Sequence, residues 1–287
     1  MKDPLLILQE YMPDLPVDPA QVRRANGQFS DVLLVDDIGM VFRLPRSPHV
    51  AITMAQEVDL LQSLQGRVTL PIPRPTVDHR DPQTGAQVLM GYPLIPGAPL
   101  TRKAFKTITA QRLLDHLAGQ LAQFLQEIHS IRIDAAQISD PRAEWQHLYT
   151  QFRDKLYPYM RADARAQVSA DFEAFLGDEA NFAFETVLIH GDLGGSNILY
   201  DAEQGRISGV IDFGSAGPGD PAQDVGALRV SYGDDFLKRV FGHYPALKAT
   251  LSRVTFIQST YALQQALYAL RDGNQADFDD GIKNYVC

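Results

Sequence analysis

The sequence has almost nothing from which to build covalent or metal cross-links. Of its 287 residues one is cysteine, Cys287 at the end of the chain, which excludes an intrachain disulfide and a thiolate metal cluster. Stability must come from packing, and a chain of this length holds roughly two domains with substantial cores. Long hydrophobic runs are also missing. Although 45% of residues are hydrophobic, no apolar stretch approaches the ~18 residues needed to cross a bilayer. Near the N-terminus only Leu5 to Leu8 are consecutively apolar, with acids on both sides, unlike the apolar region of a secretory signal. The chain is expected to be soluble and cytoplasmic, with no membrane partner. Positive charge is scarce: 26 Lys and Arg stand against 35 Asp and Glu, a formal net charge of −9. A surface of that sign repels phosphate backbones, so nucleic acid is not an expected partner. Residues 1–170 hold 18 acids and 18 bases, whereas 171–287 hold 17 acids and 8 bases. The excess in the second part fits either a cationic ligand there or a solubility-tuned face.

Short strands with turn chemistry occupy the first third. SDVLLV (30–35), an acidic turn at Asp36, Asp37 and Gly39, and MVFRL ended by Pro45 spell a hairpin. Ala51, Met54, Ala55, Val58 and Leu61 recur at helical spacing, the stripe of a helix with one buried face. PIPRP (71–75) is an extended connector, and a second hairpin over 76–90 turns at DPQTG (81–85). GYPLIPGAP (91–99) concentrates Gly and Pro and reads as a linker. Stripes such as Leu114, Leu117, Leu121, Phe124, Leu125 and Ile128 then predict helices over 103–185, followed by a strand at TVLIH (186–190) and helices again from Pro221. No repeat or low-complexity tract interrupts this order. The expected fold is α+β: a small N-terminal antiparallel sheet with one helix (1–90), a hinge (91–99), and a larger, mainly helical C-terminal lobe with a central β-hairpin (100–287).

The chemistry concentrates in HGDLGGSN (190–197) and DFG (212–214). If 198–201 and 207–211 pair across a turn at Gln204 and Gly205, Asn197 faces Asp212 and both point to one side of the ribbon. Two hard oxygen ligands in such a place suit Mg²⁺, which keeps waters and takes further ligands from substrate phosphates. Asp192 is left to accept or orient the proton of an attacking hydroxyl. That order, Asp then Asn then a second Asp in DFG, is the order of kinase elements. Arg43 on the first hairpin can contact nucleotide phosphates and pair with Glu57 on the polar face of the next helix. NGQFSD (26–31) is a candidate phosphate-covering turn, with Gly27 allowing close approach and Ser30 offering a hydroxyl. His190 is read as a structural histidine, and Asp220 and Asp224 as a helix cap and a first-turn acid compatible with buttressing the catalytic loop.

HGDLGGSNILYD, GVIDFG and GDPAQDVGAL together resemble the aminoglycoside and macrolide phosphotransferases, small-molecule kinases with a bilobal, protein-kinase-like fold. VFRLPR with Glu57, PIPRP, GYPLIPG and FLQEIHSI are similar to the subgroup that phosphorylates the 2″ hydroxyl of aminoglycosides. The resemblance implies Asp192 as catalytic base and Asn197 and Asp212 as Mg²⁺ ligands. It implies a nucleobase held by the Pro93 carbonyl and the Ile95 amide, and a Tyr92 side chain behind the base that favours GTP over ATP. The acceptor is expected to be a small hydroxyl compound, an aminoglycoside first and a macrolide second, handled by a monomeric enzyme. Two departures stand out. Arg43 replaces the lysine usual in the family, and the acidic run that follows GDP in aminoglycoside enzymes shrinks to Asp234 and Asp235, the candidate acceptor contacts. A nucleotide-binding pseudokinase scaffold is disfavoured because Asp192, Asn197 and Asp212 are all present.

Overall fold

A computed structural model describes residues 3–15, 18–26, 30–134, 136 and 138–286. In chain order the elements are α1 (Pro4–Tyr11), β1 (Val22–Asn26), β2 (Ser30–Val35), β3 (Met40–Pro45), α2 (Pro48–Leu64), β4 (Val77–Arg80), β5 (Gln87–Pro93), β6 (Ala98–Pro99), α3 (Arg102–Phe105) and α4 (Gln111–His129). There follow α5 (Pro141–Gln151), α6 (Ala162–Gly177), β7 (Val187–Ile189), β8 (Ile198–Asp201), β9 (Arg206–Val210), β10 (Gly217–Gly219), α7 (Ala222–Tyr232), α8 (Asp234–His243), α9 (Leu251–Asp272) and α10 (Gln275–Ile282). The chain forms two compact units that are each discontinuous in sequence: Met1–Glu127 with Gly195–Ala216, and Ile128–Gly194 with Gly217–Cys287.

In the first unit a five-stranded antiparallel sheet runs in the order β1-β2-β3-β5-β4. Alternation along the strands sorts its two faces. Leu33, Val35, Phe42, Leu44 and Leu89 form one core with Leu8 of α1. Val41, Arg43, Met90 and Tyr92 belong to the opposite face. Helix α2 packs along β3 and β5. Pro48 opens that helix after Ser47, whose hydroxyl accepts from the Val50 amide at 3.3 Å, a cap of the kind that satisfies an otherwise orphaned donor. Its buried stripe includes Met54, Val58, Leu61 and also Glu57. The connector PIPRP has no regular structure, and the Pro71 carbonyl accepts from the Val210 amide of β9 at 2.9 Å. Of the segment 91–99, Gly91, Tyr92 and Pro93 are strand, and Ala98 and Pro99 pair with β8.

In the second unit α5, α6 and α9 enclose an aromatic core. Phe175 stacks on Phe256 at 3.8 Å between centroids, and Trp145 and Phe172 meet the same ring edge-on. β7 and β10 form a two-stranded antiparallel ribbon. Among the described residues no helix is long and apolar enough to cross a membrane.

Candidate active site

Arg43 is the centre of a network inside the first unit. Its Nη1 donates to Glu57 Oε1 at 2.6 Å, its Nη2 to Asp212 Oδ1 at 3.4 Å and its Nε to Ser30 Oγ at 3.4 Å. The Arg43 and Glu57 side chains are 11% and 2% exposed, whereas Asp212 is 51% exposed. Glu57 sits on the buried stripe of α2, not on its polar face, and reaches further than Arg43: its Oε1 also accepts from the Phe213 amide at 3.2 Å. Burial pushes the Glu57 carboxyl above its usual range, while Arg43 and the Phe213 amide pull it back. Burial also works against the Arg43 cation, but Glu57 and Asp212 more than compensate, and its pKa is raised. The arrangement is a desolvated ion pair that presents one edge of a guanidinium beside an accessible carboxylate.

The hairpin that carries Asn197 and Asp212 differs from the expected register. Ile198 pairs with Val210 and Leu199 with Gly209, then a bulge shifts the pairing to Tyr200 with Ile207 and Asp201 with Arg206. Asn197 therefore lies opposite Ile211, whose amide donates to the Asn197 carbonyl at 2.9 Å, and Asp212 is one residue beyond. The reason is the turn, which spans four residues instead of two. Asp201 Oδ1 accepts from the amides of Glu203 and Gln204, both at 3.0 Å, and Gly205 closes the turn at φ 63°. Asp212 itself has φ 63°, the one positive value of a residue other than glycine among those described. Such backbone costs an L-residue about 1–2 kcal/mol. It also interrupts the regular alternation of the ribbon at Asp212, so a shifted register and a left-handed residue replace the simple opposition read from the sequence.

Asp192 lies in the second unit, exposed, on the loop after β7. Its amide donates to His190 Nδ1 at 3.3 Å and its carbonyl accepts from the Gly194 amide at 2.8 Å. His190 is fully buried, and its ring serves the loop backbone. Asp224 of α7, also fully buried, accepts from the His190 and Gly191 amides at 3.0 and 2.9 Å. Asp220 caps α7 through the Ala222 amide and takes a bidentate bond from Arg253 of α9 at 2.6 and 2.8 Å. His129, at the end of α4, places Nε2 3.7 Å from Asp224 Oδ2, too far for a hydrogen bond. No catalytic motif in the sequence singles it out. The available signal was its position four residues after Leu125 on an otherwise apolar stripe.

The remaining candidates divide. Tyr92 is 6% exposed and shares one face of the sheet with Arg43. Burial pushes the phenol up to about 12, with the Arg43 cation pulling the other way. Pro93 is opposite Met40, and the Leu94 amide donates to the Gly39 carbonyl at 2.7 Å. Among the described residues none accepts from the Ile95 amide. Asp234 and Asp235 open α8, and each already holds a cation of its own chain: Arg229 at 2.6 Å and Lys238 at 2.8 Å. Gly27 lies outside the described residues. Among those described, no three His, Cys, Asp or Glu side chains are grouped to hold a metal ion. The oxygen donors of Asn197 and Asp212 fit a hard cation that takes most of its shell from water and phosphate.

Residues 21–254 match the sequence profile of the family described as "Phosphotransferase enzyme family". Over 269 residues the chain is 32% identical to viomycin phosphotransferase of Streptomyces vinaceus, covering 91% of each chain. Its fold is that of two solved proteins at 23% identity. One is the GDP complex of wild-type aminoglycoside 2'-phosphotransferase-IIIa, with 97% of this chain and 95% of that one covered at a TM-score of 0.85. The other is the macrolide 2'-phosphotransferase of Brachybacterium faecium, with 96% of each covered at 0.73. An α+β architecture, a profile match over most of the length and a relative at nearly one identical residue in three together mean that this chain belongs to the phosphotransferase enzyme family.

Proposed function

We propose that the chain moves the γ-phosphate of a nucleoside triphosphate, GTP in preference to ATP, to a hydroxyl of a small cationic molecule. An aminoglycoside-type antibiotic is the first candidate and a macrolide the second. The reaction is placed in the cytoplasm, in a monomer, with 1–90 as nucleotide lobe, 91–99 as hinge and 100–287 carrying the catalytic loop and acceptor region. The observation that carries this reading is the Arg43–Glu57–Asp212 network: a buried cation anchored on one side and offered on the other beside a carboxylate. Phosphoryl transfer asks for charge placed in advance.

In this reading the Ile95 amide and Pro93 carbonyl hold the base, Tyr92 bounds it from behind, and Arg43 meets the phosphates, with Ser30 and Gly27 beside them. Asn197 and Asp212 hold Mg²⁺, which neutralises the charge of the phosphates when bound. Asp192 accepts the proton of the acceptor hydroxyl as its oxygen bonds to the γ-phosphorus and the bond to the nucleoside diphosphate oxygen breaks. The clamp of Asp224 on the His190 and Gly191 amides supports that role, because it fixes the loop two residues before the base. Asp234 and Asp235 are the proposed acceptor contacts, and a polycation reaching them must compete with Arg229 and Lys238.

The test is triphosphate consumption by purified protein with viomycin, kanamycin and a macrolide, with Asp192→Ala as the control. A base of this kind contributes ~10²-fold or more, so the variant should lose turnover while keeping nucleotide affinity. Wild-type rates from Asp192→Ala with every acceptor, or no acceptor-dependent consumption by the parent, would overturn the reading.

A further inference from the structure

Helices α7 and α9 meet at a residue with no side chain. Gly226 of α7 is buried, and a Cβ there would stand 2.6 Å from the Tyr261 hydroxyl oxygen of α9 and 3.7 Å from Cγ of Gln258. That hydroxyl donates to the Gln223 carbonyl at 3.3 Å, and the Gln258 amide donates to the Gly226 carbonyl at 3.0 Å. Gln258 and Tyr261 are three residues apart and share one face of α9, so two side chains grip the main chain of α7 from one side. A helical carbonyl has a second lone pair for such a bond. Burial, followed by the Asp224 and Asp192 charges, pushes the Tyr261 phenol above its usual range, so it keeps its proton and remains a donor.

The gripped carbonyls bracket Asp224. Gln223 precedes it and Gly226 follows two residues later, and Asp224 is the carboxylate that holds the His190 and Gly191 amides. A displacement of α7 at this point is therefore a displacement of that carboxylate. Gly226 is what admits the tyrosine: a side chain there would drive the hydroxyl back by about 1 Å, to the ~3.5 Å of an ordinary contact, and break its bond to Gln223. In a buried helix glycine is otherwise a poor choice, since every residue but proline has the higher helix propensity.

We infer that Gly226 and Tyr261 are a matched pair that fixes α7 and, through Asp224, the backbone of the 190–192 loop, so that Tyr261 is a positioning residue for the proposed phosphoryl transfer. This deepens the phosphotransfer reading and rests on it, whereas the helix contact itself does not. The pairing has a consequence of sign. Gly226→Ala alone collides with the hydroxyl. With the hydroxyl gone the nearest ring atom is Cζ at 3.6 Å, an ordinary contact, and alanine then brings only its better helix propensity.

Four proteins test it: the parent, Tyr261→Phe, Gly226→Ala and the double variant. Each is measured by urea unfolding without nucleotide, by hydrogen exchange of the His190 and Gly191 amides, and for kcat and nucleotide KM. Gly226→Ala should lower the urea midpoint of the parent but raise that of Tyr261→Phe. Exchange at both amides should quicken by about threefold in Tyr261→Phe and about tenfold in Gly226→Ala, the range of one neutral hydrogen bond, and in the double variant no more than in Tyr261→Phe. Under conditions where all four are folded, kcat should fall in the same order while nucleotide KM stays within about twofold, as expected when only the reacting geometry is disturbed. A Gly226→Ala chain that fails to fold while the double variant folds would support the pairing too. A midpoint that moves in the same direction on both backgrounds, or parent-like exchange or kcat in both single variants, would overturn the positioning role. If the parent transfers no phosphate, the phosphotransfer reading falls with the role in transfer, and the midpoints and exchange rates still decide whether the pair holds the loop.

Discussion

Replacing Asp224 by alanine tests the architecture of the proposed catalytic loop with little reference to ligands. Its carboxylate is fully buried and accepts from two consecutive backbone amides, His190 at 3.0 Å and Gly191 at 2.9 Å. Each hydrogen bond to a charged group contributes about 1.5–3 kcal/mol, and an amide left unpaired in a buried site loses what it once had from water. Two such bonds give about 3–6 kcal/mol, and relief of the buried charge returns part of this, leaving a net loss of about 3 kcal/mol. That is a large fraction of the ~5–15 kcal/mol by which native proteins are stable. Asp224→Asn keeps one oxygen but turns an NH₂ toward the other amide, and a loss of about 2 kcal/mol is expected. Urea unfolding followed by circular dichroism measures both. Under conditions where each variant stays folded, kcat should fall by ~10²-fold, since a displacement of about 1 Å at a reacting group suffices for that. The affinity for nucleotide should change little. If Asp224→Ala unfolds within about 1 kcal/mol of the parent and keeps its kcat, the clamp neither holds the loop nor serves the base, and the reasoning fails.

Asn197→Ala and Asp212→Ala should each raise the Mg²⁺ concentration needed for half-maximal activity, and the double variant should lose less than the sum, as expected of two ligands of one ion. Losses that simply add in Mg²⁺ titrations would separate them. The KM for a polycationic acceptor should rise with ionic strength, since attraction by exposed acids is screened over about 8–10 Å in moderate salt. Neutralising Asp234 or Asp235 should flatten that response, and a KM that is flat in the parent would favour an uncharged acceptor.

The chemistry was more legible in the sequence than the geometry. Both N-terminal hairpins, the α2 stripe and the hairpin after the 190–197 loop follow from local alternation and turn residues, which act over a few positions. The two-residue error in the turn of the last hairpin has a local cause that composition conceals: Asp201 caps a four-residue turn through two amides. The bulge at Leu199 then recovers one position of the shift. β10 was invisible because Gly217-Pro218-Gly219 has the composition of a turn and becomes a strand only by pairing with β7, some thirty residues earlier. The adjacency of Tyr92 and Arg43 on one face of the sheet was equally hidden. Neighbours 49 positions apart are created by the β3–β5 ladder, and nothing in either residue's own surroundings announces the other.

The sequence of each compact unit has a consequence for synthesis. The first unit begins at the N-terminus but is completed by Gly195–Ala216, about ninety residues after its first stretch ends. At the ribosome's pace of about 5–20 residues per second, Met1–Glu127 waits roughly 5–20 seconds before the hairpin that supplies Phe213 and Asp212 to the Arg43–Glu57 pair has been made. During that interval Glu57 lacks one of its two donors, Pro71 and β6 lack their partners in β8 and β9, and the sheet must persist as an incomplete body. Such an incomplete body exposes apolar surface of the kind that chaperones cover, and truncation after residue 127 would yield the waiting form, not a complete unit.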